Sequence, residues 1–492
     1  MIYEDKKVSF TTYTPLLTDF YQLTMAYGYW RLKQHEDRAV FHLLFRKSPF
    51  QGNYALTCGL GSVIDFLQSW QFEASDIDYL ASLQTHAGEP LFPQDFLDYL
   101  SKMRFQCDID AMPEGTLAFP HAPILRIEGP LLQCQLLETP LLNIINFQTL
   151  IATKATRVCR AAAPHPVIEF GMRRAQGPDG ALSASRAAYI GGTCATSNTL
   201  AGKLYDIPVR GTHAHSWVSA FDDELSSFTA YADVLPQNCV LLVDTYNTLQ
   251  GVKNAIQVGQ KLRANGDDLI GIRLDSGDLA DLSIKARNLL DAAGFTETTI
   301  LASNTLDEYV IKSLKEQGAK INAWGVGTNL TTAYDQPALD GVYKLSALQN
   351  KQGEWLYKLK LSEQDIKISN PGRHQVRRFF YNEKYFIDVI YDLNLGISDT
   401  PDAILFDTDQ TLKHLNDVDG FVDLLSPLFR NGQLINAPRS IHTIRHEAKN
   451  EMDIFESNVG EQTYLVGLEK NLHCLKQTLI KKRRLNESSS SK

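Results

Sequence analysis

The chain of 492 residues has the composition of a folded protein and an acidic overall balance. Hydrophobic residues make up 44% of it, and 57 acidic residues outnumber 48 basic ones. This apolar fraction argues against disorder, and the net negative charge argues against a general nucleic-acid-binding surface. Between Lys154 and Arg210, however, eight basic residues stand against only three acidic ones. This local positive charge predicts that a small anion is bound there.

The sequence favours a cytoplasmic protein that does not span a membrane. The first residues are charged and lack an apolar stretch, so we expect no signal peptide. The most apolar long segment, residues 130–155, is interrupted by polar residues and should not cross a bilayer. The seven cysteines are scattered without a C-x-x-C pair, which is typical of reduced thiols. Residues 481–492 are basic and then serine-rich, which is typical of a frayed terminus.

Residues 1–140 have the pattern of an α+β domain. Helices are expected around residues 19–31 and 61–71, and residues 39–45 form an apolar run typical of a strand. Several prolines then mark turns. We therefore predict a separate N-terminal α+β domain.

Residues 141–345 alternate between apolar β-branched runs and amphipathic segments. The predicted strands are residues 167–170, 207–209, 240–243, 269–273, 299–302 and 321–325. This alternation predicts βαβ units, a parallel sheet and an α/β fold. Six units are fewer than the eight of a complete barrel, so we expect an irregular, incomplete αβ barrel that carries the catalytic site.

Three helices of this region have readable ends. Thr305 and Glu308 have the spacing of a capping box, and the helix that follows should stop at Gly318. The other two helices should begin after Asp278 and Asn247.

The alternation of strand and helix patterns fades in residues 346–492. Residues 357–361 and 378–381 alternate in the manner of antiparallel strands. We expect this C-terminal part to pack back on the N-terminal domain.

In a parallel αβ barrel the catalytic groups lie at the carboxyl ends of the strands. Arginines, histidines, paired carboxylates and glycine-rich turns follow the predicted strands here. The glycine-rich turn at residues 325–329 is either an anion-binding nest or a plain tight turn. Asp275 and Asp278 suit ribose hydroxyls or Mg²⁺ bound through phosphates, and Asp278 also suits the N-cap of a helix.

His213 and His215 share one face of an extended segment, which allows three interpretations. A zinc pair is disfavoured, because every later histidine lies beyond the last predicted barrel strand. The remaining interpretations are a nucleophilic histidine that accepts a phosphoryl group and a structural, hydrogen-bonded histidine.

Five motifs together resemble the nicotinate phosphoribosyltransferase family. They are TDFYQLTM at residues 18–25, EFGMRRAQG at 169–177, GTHAHS at 211–216, RLDSGD at 273–278 and GVGTN at 325–329. The resemblance implies a type II phosphoribosyltransferase fold and a head-to-tail homodimer whose active site is shared across the interface. It also implies the entry step of NAD salvage from nicotinate. Nicotinate, 5-phosphoribosyl 1-diphosphate, ATP and water would give nicotinate mononucleotide, diphosphate, ADP and phosphate.

The resemblance also implies roles for individual residues. His215, in the Ala-His-Ser element, matches the phosphorylated histidine, and Asp275 and Asp278 resemble ribose and Mg²⁺–diphosphate ligands. The nicotinate pocket is implied to contain Tyr21, Phe170, Arg173, Thr212 and Arg273. The contacts to 5-phosphoribosyl 1-diphosphate are implied to be Ser303, Asn304, Gly327, Thr328 and Ser369. The implied cofactor is Mg²⁺ or Mn²⁺, held mainly through the substrate diphosphate, with ATP as co-substrate.

Two alternatives remain at this point. The same fold could use nicotinamide, although the many arginines favour an acidic substrate. The chain could also be a non-catalytic, ligand-sensing barrel, although a silent protein has no need for His215, Arg273, Asp275 and Asp278 together.

Overall fold

The computed structural model describes residues 14–362, 368–382, 384–406, 410–416, 418–459 and 464–490, without the side chains of residues 457–459 and 487–490. The segment in which no signal peptide is expected lies outside these residues, as do the last two residues of the tail. The chain divides into two compact units. The first combines the residues up to Leu150 with those from Ala338 onward, and the second runs from Ile151 to Pro337.

Helices and strands of the first unit come from both ends of the chain. Its helices are α1 (Phe20–Arg31), α2 (Leu60–Gln68), α3 (Ala74–Ser82), α4 (Gln94–Lys102), α5 (Leu131–Leu136), α15 (Ile441–Val459) and α16 (Lys470–Ser490). Its strands are β1 (Arg38–Phe45), β2 (Ala55–Leu56), β3 (Asp108–Ala111), β4 (Leu117–Ala118), β5 (Pro123–Pro130), β12 (Gly341–Gln349), β13 (Trp355–Tyr357), β14 (His374–Tyr381), β15 (Lys384–Asp392), β16 (Asp402–Leu405), β17 (Leu412–His414), β18 (Gly420–Asp423), β19 (Ser426–Arg430), β20 (Gln433–Leu434) and β21 (Leu465–Glu469).

Two large sheets organise the first unit. One has seven strands in the order β13-β12-β1-β5-β3-β19-β20, so strands from both ends of the chain lie side by side in it. The other has six strands in the order β17-β16-β21-β15-β14-β18. The helices expected near residues 19–31 and 61–71 are present as α1 and α2. The antiparallel pairing expected for residues 378–381 is confirmed in β14 with β15, but the strand expected at 357–361 ends at Tyr357.

The second unit alternates strands with helices. It follows helix α6 (Glu138–Ala162) and contains β6 (Val167–Glu169), α7 (Gly177–Ile190), β7 (Ala195–Thr196), α8 (Thr199–Tyr205), α9 (His215–Ser219), α10 (Glu224–Val234), β8 (Val240–Leu242), α11 (Thr248–Ala264), β9 (Gly271–Leu274), α12 (Leu279–Ala292), β10 (Thr299–Ala302), α13 (Glu308–Glu316), β11 (Ala323–Val326) and α14 (Thr328–Thr331).

The strands of the second unit form one six-stranded sheet in the order β7-β6-β11-β10-β9-β8, and each neighbouring pair is parallel. Apolar side chains such as Ile272, Ile300 and Trp324 are buried completely. The mixed α/β class is therefore confirmed. Among the described residues the sheet does not close, because β7 and β8 remain its two edges.

One predicted strand of this sheet is wrong. Residues 207–209 form only a single bridge, between Thr196 and Val209, and the edge position belongs to β7. Pro208 has no backbone N–H, so its carbonyl can accept a hydrogen bond from Thr196 but the ladder cannot continue in that direction.

One predicted helix start is also wrong. Asp307, not Thr305, caps α13, and its carboxylate accepts hydrogen bonds from the amides of Tyr309 and Val310. A carboxylate at a helix N-terminus also benefits from the helix dipole, which a hydroxyl does not. The predicted caps Asp278 and Asn247 are confirmed, and Gly318 has the expected positive φ after the end of α13.

No helix among the described residues is long and apolar enough to cross a bilayer.

Candidate active site

A cavity of about 630 Å³ lies within the second unit. The residues that follow β6 and β9 line it, together with the segment that leads into α9. Six predicted site residues line this cavity, namely Phe170, Arg173, Thr212, His215, Arg273 and Asp275. Because carboxyl ends of parallel strands meet at one edge of a sheet, residues distant in sequence converge here.

Arg273 is the best-fixed cation of this cavity. Its Nε donates to Ser303 Oγ at 2.8 Å, and its Nη1 donates to Thr212 Oγ1 at 3.1 Å. Its Nη2 donates to Asp275 Oδ1 at 2.8 Å. A guanidinium has five N–H donors, so these bonds fix the plane of the group and leave donors for a bound anion.

The ring of Phe170 lies against this guanidinium. The Cζ atom of Arg273 is 5.4 Å from the ring centroid, within the range of a cation–π contact. Gly325 makes room for the ring, because a Cβ atom there would lie 2.6 Å from Phe170 Cδ2. One aromatic ring and one guanidinium therefore form adjacent parts of the cavity wall, an arrangement that suits a planar ring bearing an acidic group.

Asp275 is held as a carboxylate beside Arg273. Burial raises the pKa of Asp275, but the hydrogen bond from Ser303 and the charge of Arg273 outweigh it, and the pKa is lowered overall. The carboxylate also accepts a short hydrogen bond from Ser303 Oγ. Asp275 therefore supplies a fixed negative charge at neutral pH.

His215 is the first residue of α9 and reaches towards this carboxylate. Its Nδ1 lies 3.0 Å from Thr245 Oγ1, and its Nε2 lies 3.8 Å from Asp275 Oδ2. The side chain is 45% exposed, so the imidazole is accessible from the cavity. Accessibility and a neighbouring carboxylate are what a nucleophilic imidazole requires.

The surroundings of His213 are those of a histidine with a structural role. Its Nε2 accepts a hydrogen bond from the amide of Leu242 at 3.1 Å, and its Nδ1 lies 3.4 Å from the carbonyl oxygen of Ala214. Burial, as the largest cause, lowers the pKa of His213, so the ring is neutral. Both ring nitrogens are thus engaged by the backbone, and the zinc-pair interpretation loses one of its two ligands.

The loop that carries Arg173 is held by a buried carboxylate. Glu169 accepts hydrogen bonds from the amide of Gly171 and the hydroxyls of Ser185, Thr196 and Thr331. Arg173 follows in a short 3₁₀ turn, Met172–Arg174, and its side chain is exposed to the cavity. Among the described residues its guanidinium has no ion-pair partner, so it is available to an anion.

The predicted phosphate-contacting residues of the second unit lie in the turns after β10 and β11. Ser303 is buried and bonded to Arg273, whereas Asn304 is exposed with a φ of +93°. Gly327 precedes α14, and Thr328 is the first residue of that helix. The glycine-rich turn is therefore a strand-to-helix connection.

Asp278 lies at the N-terminus of α12 and does not line the cavity. Its Oδ1 accepts from the amides of Ala280 and Asp281, both at 3.1 Å. The N-cap role is confirmed.

The remaining two predicted residues, Tyr21 and Ser369, belong to the first unit. Tyr21 lies on α1 with 48% of its surface exposed. Ser369 Oγ accepts a hydrogen bond from the amide of Lys360 at 2.8 Å. Neither residue lines the cavity of the second unit.

The described residues contain no group of three or more histidine, cysteine or acidic side chains that could hold a metal ion. A divalent cation here would therefore depend on substrate oxygens. Asp244 is a suitable additional donor, because its Oδ2 accepts from the amide of Asp275 and the hydroxyl of Ser276 while its buried Oδ1 has no described hydrogen-bond partner. Hard carboxylate oxygens of this kind fit Mg²⁺ or Mn²⁺.

Asp244, Thr245 and Glu169 were not predicted to be site residues. Asp244 and Thr245 directly follow a predicted strand, so they lie at a position where catalytic groups are expected, but no role was assigned to them. Glu169 lies inside a strand, and only the contacts of its buried carboxylate show that it supports the Arg173 loop.

Comparisons with known proteins identify the family of the chain. Residues 16–146 match the family model of the nicotinate phosphoribosyltransferase (NAPRTase) N-terminal domain, and residues 166–369 match that of the nicotinate phosphoribosyltransferase (NAPRTase) family. The nicotinate phosphoribosyltransferase of Bacillus subtilis is 49% identical over 366 residues, which cover 74% of this chain and 72% of that protein. The Homo sapiens enzyme of the same name is 36% identical over 414 residues, which cover 73% and 75% of the two chains.

Solved structures of similar fold include a member of the same family. The crystal structure of human nicotinic acid phosphoribosyltransferase has a TM-score of 0.82 and 30% identity, and the match covers 94% of this chain and 99% of that one. A nicotinate-nucleotide pyrophosphorylase from Pyrococcus furiosus, with a TM-score of 0.69 and 21% identity over 92% of this chain and 98% of that one, shares the fold. The family matches extend over both units, and the chain belongs to the nicotinate phosphoribosyltransferase family.

Proposed function

We propose that the protein joins nicotinate to the phosphoribosyl group of 5-phosphoribosyl 1-diphosphate and releases nicotinate mononucleotide and diphosphate. The observation that carries this proposal is the fixed guanidinium of Arg273 beside the ring of Phe170 in the cavity of the second unit. Nicotinate is a planar aromatic ring with one carboxylate, and both parts find a counterpart there.

The chemistry follows from the charges around the cavity. The C1–O bond to diphosphate breaks, the ring nitrogen of nicotinate forms the new bond to C1, and diphosphate leaves with the electron pair. Positive charge develops on the ribose in this step, and we assign its stabilisation to the ionised Asp275. Phe170 and Arg273 orient the nicotinate, and Arg173 is available to the leaving group or to the substrate carboxylate.

A divalent cation, Mg²⁺ or Mn²⁺, would neutralise the diphosphate when it is bound. We assign its protein contacts to Asp244 and Asp275, and the family resemblance is the basis for adding Asp278 as a further Mg²⁺–diphosphate ligand. The turns that contain Ser303, Asn304, Gly327 and Thr328 offer backbone and side-chain donors to phosphate oxygens, and Ser369 is assigned to the same substrate.

We further propose that ATP phosphorylates His215. The bond from the γ-phosphorus to ADP breaks, a bond from that phosphorus to an imidazole nitrogen forms, and water later hydrolyses it to phosphate. The phosphorylated ring would carry negative charge beside Asp275, and the repulsion would alter the loops at the diphosphate site. This coupling accounts for the use of ATP by a reaction that does not need it chemically.

The parallel sheet is interpreted as part of the incomplete barrel of residues 141–345, with 1–140 and 346–492 as the flanking parts. We propose that the protein is a homodimer in which Tyr21 of one copy stacks on the pyridine ring bound by the other. The apolar side chains of Leu17, Phe20 and Tyr21 on and before α1 are each about half exposed, which supports a partner at this surface.

The direct test of the reaction is an assay of nicotinate mononucleotide formation from nicotinate and 5-phosphoribosyl 1-diphosphate. The reaction is carried out with and without ATP, and the product is measured by chromatography. We expect product in both cases and a higher rate with ATP. The absence of this product under both conditions would contradict the proposal.

The test of the histidine assignment is labelling with γ-³²P-ATP. We expect an acid-labile, base-stable label on the full chain that His215→Ala abolishes. His86→Ala, at an exposed histidine, serves as the matched control and should keep the label. Label that persists in His215→Ala would remove His215 from this role.

A further inference from the structure

Two loops to which the proposed function assigns different substrates start from neighbouring strands of the second unit. The nicotinate loop, residues 170–174, follows β6, and the diphosphate turn, residues 327–331, follows β11. The two strands pair in parallel, and the last residue of β6, Glu169, lies opposite the last residue of β11, Val326. Because both strands end at the same level of the sheet, the two loops leave it side by side.

The nicotinate loop and the diphosphate turn are in direct contact. The amide of Phe170 donates to the carbonyl oxygen of Val326 at 2.8 Å. A Cβ atom at Gly171 would overlap the hydroxyl of Thr331 and would lie 2.9 Å from the carbonyl oxygen of Gly327. A movement of either loop towards the other is therefore opposed by the atoms of its neighbour.

One carboxylate oxygen bonds both loops. Oε1 of Glu169 accepts a hydrogen bond from the amide of Gly171 in the nicotinate loop and another, at 3.3 Å, from the hydroxyl of Thr331 in the diphosphate turn. Oε2 accepts from the hydroxyls of Ser185 on α7 and Thr196 on β7, at 2.9 and 2.6 Å. The two oxygens therefore have separate roles, because Oε2 fixes the carboxylate to the surrounding elements and Oε1 holds the loops.

This link between the loops is buried. Glu169 and Thr331 are each only 1% exposed, and the hydroxyl of Thr331 has no other hydrogen-bond partner among the described residues. A buried polar group that loses its partner is destabilised, because no water takes the place of the partner. The arrangement of both loops therefore depends on this pair of residues.

We propose that Glu169 and Thr331 are positioning residues that hold the nicotinate loop and the diphosphate turn in one arrangement before the substrates bind. The inference rests on the proposed function, which assigns the loop to nicotinate and the turn to 5-phosphoribosyl 1-diphosphate. The ring nitrogen must meet C1 of the ribose for the new bond to form, so the two substrates must be presented at a fixed separation. Neither Glu169 nor Thr331 lines the cavity, and both act through the loops that they hold.

Variants of Thr331 test the link to the diphosphate turn. Thr331→Ala removes the hydroxyl, so the KM for 5-phosphoribosyl 1-diphosphate should rise at least fivefold, while kcat and the KM for nicotinate change less than twofold. Thr331→Ser keeps the hydroxyl and should keep all three constants within twofold of those of the unaltered chain. A KM for 5-phosphoribosyl 1-diphosphate that is unchanged in Thr331→Ala, or that rises as much in Thr331→Ser, would overturn the role of the hydroxyl.

Thr298→Ala is the matched control for lost stability. Thr298 is 3% exposed, and its hydroxyl donates one buried hydrogen bond, at 3.0 Å, to the carbonyl oxygen of Leu269. It precedes β10, so it lies at the amino ends of the strands, opposite the candidate site. Thr298→Ala should lower the melting temperature about as much as Thr331→Ala and change neither KM more than twofold. A KM that rises equally in both variants would reduce the effect to general destabilisation and overturn the proposal.

Variants of Glu169 test the shared support. Glu169→Ala removes the acceptor of both loops, so both KM values should rise at least fivefold. Adding Thr331→Ala to it should raise the KM for 5-phosphoribosyl 1-diphosphate less than twofold further, because the hydrogen bond is already lost. Glu169→Gln keeps one carbonyl oxygen that can accept from both loops, and should keep both KM values within threefold of those of the unaltered chain. Full additivity in the double variant, or a rise in only one KM in Glu169→Ala, would contradict a shared support.

Hydrogen exchange of the full chain without substrates gives a measurement that does not depend on activity. Glu169→Ala should accelerate amide exchange in both loops, and Thr331→Ala only in the diphosphate turn. Acceleration confined to one loop in Glu169→Ala, or its absence in Thr331→Ala, would overturn the proposal, and the Thr331 variants decide alone if Glu169→Ala does not fold. If the unaltered chain forms no nicotinate mononucleotide, the proposed function fails, whereas the exchange pattern still decides whether these residues hold the loops.

Discussion

Arg273 is the side chain on which the proposed nicotinate pocket depends most. Three neighbours hold its guanidinium in one plane, and Phe170 lies against it. An arginine fixed in this way loses little further conformational entropy when it binds a carboxylate. The same bonds connect it to Asp275, so substrate selection and charge stabilisation share one hydrogen-bonded group.

Gly325 provides a test of the aromatic wall. In Gly325→Ala the new methyl group would collide with the Phe170 ring, and the ring must move. We expect the KM for nicotinate to rise at least fivefold in steady-state assays, since a displaced ring no longer packs on the substrate. Gly180→Ala is the matched control, because a Cβ atom there meets nothing within 4 Å and lies inside α7. Replacing a helical glycine by alanine stabilises a protein by about 0.4–1 kcal/mol, so this control should remain folded. Because its new methyl group displaces no neighbour, its KM for nicotinate should be unchanged. An unchanged KM in Gly325→Ala would show that the ring position is irrelevant to binding.

Part of the candidate site could be predicted from the sequence. The family resemblance implied that Thr212, Arg273, Asp275 and Ser303 belong to one site, and the structure connects them by hydrogen bonds. The same resemblance assigned the phosphorylated position to His215 and not to His213. The physical difference between the two rings lies in the backbone atoms that surround them, and a linear pattern has no information about those atoms.

At the scale of elements, the strands of the second unit were mostly predictable. The predicted apolar runs overlap β8, β9, β10 and β11, because buried parallel strands need such side chains. The edge of the sheet was not predictable in this way. Strand β7 has two residues and no apolar run, whereas residues 207–209 have the composition of a strand but contain a proline. Edge strands are short and weakly patterned, so composition alone misplaces them.

Two histidines join β1 to β14 in the first unit and make its stability depend on pH. The rings of His42 and His374 are buried and stack at 4.2 Å, and His42 Nε2 accepts from the amide of His374. Burial lowers the pKa of both residues, to about 4 for His374, and the charge of Arg126 acts in the same direction. Both rings are therefore neutral in the folded chain.

The unfolded chain takes up these protons below a pH of about 6.5, while the folded chain does not. Stability should be complete above that pH and should fall as the pH decreases towards 4, by about 3 kcal/mol for His374. We expect the urea midpoint to fall between pH 7.5 and pH 5, and less steeply in His374→Gln. His86→Gln, at an exposed site, should keep the slope of the unaltered chain. A midpoint that is equal at pH 7.5 and pH 5 would contradict neutral, buried rings.

At the scale of the whole molecule, the residues that the family resemblance implies for substrate binding are distributed over the sequence of both units. The cavity of the second unit contains Arg273 and Phe170, whereas Tyr21 and Ser369 belong to the first unit. In the proposed homodimer, Tyr21 is supplied to the nicotinate pocket by the neighbouring copy.

Complementation between variants tests this assignment. Tyr21→Ala and Arg273→Gln should each have little activity alone. When the two chains are co-expressed with different tags and the mixed dimer is purified, one of its two sites should contain an intact Arg273 and an intact Tyr21. The mixed dimer should then have about half the activity of the unaltered dimer, as expected for a symmetric interface that exchanges Tyr21. No recovery would place Tyr21 in the site of its own chain.

In the proposed function, Arg273 selects nicotinate through the carboxylate of the substrate. The most direct measurement is kcat/KM for nicotinate and for nicotinamide, under identical conditions, for the unaltered chain and Arg273→Gln. A charge-assisted hydrogen bond contributes about 1.5–3 kcal/mol, or roughly ten- to hundredfold. The unaltered chain should therefore prefer nicotinate, and Arg273→Gln should reduce that preference at least tenfold. A preference for nicotinamide, or an unchanged ratio in Arg273→Gln, would contradict the account.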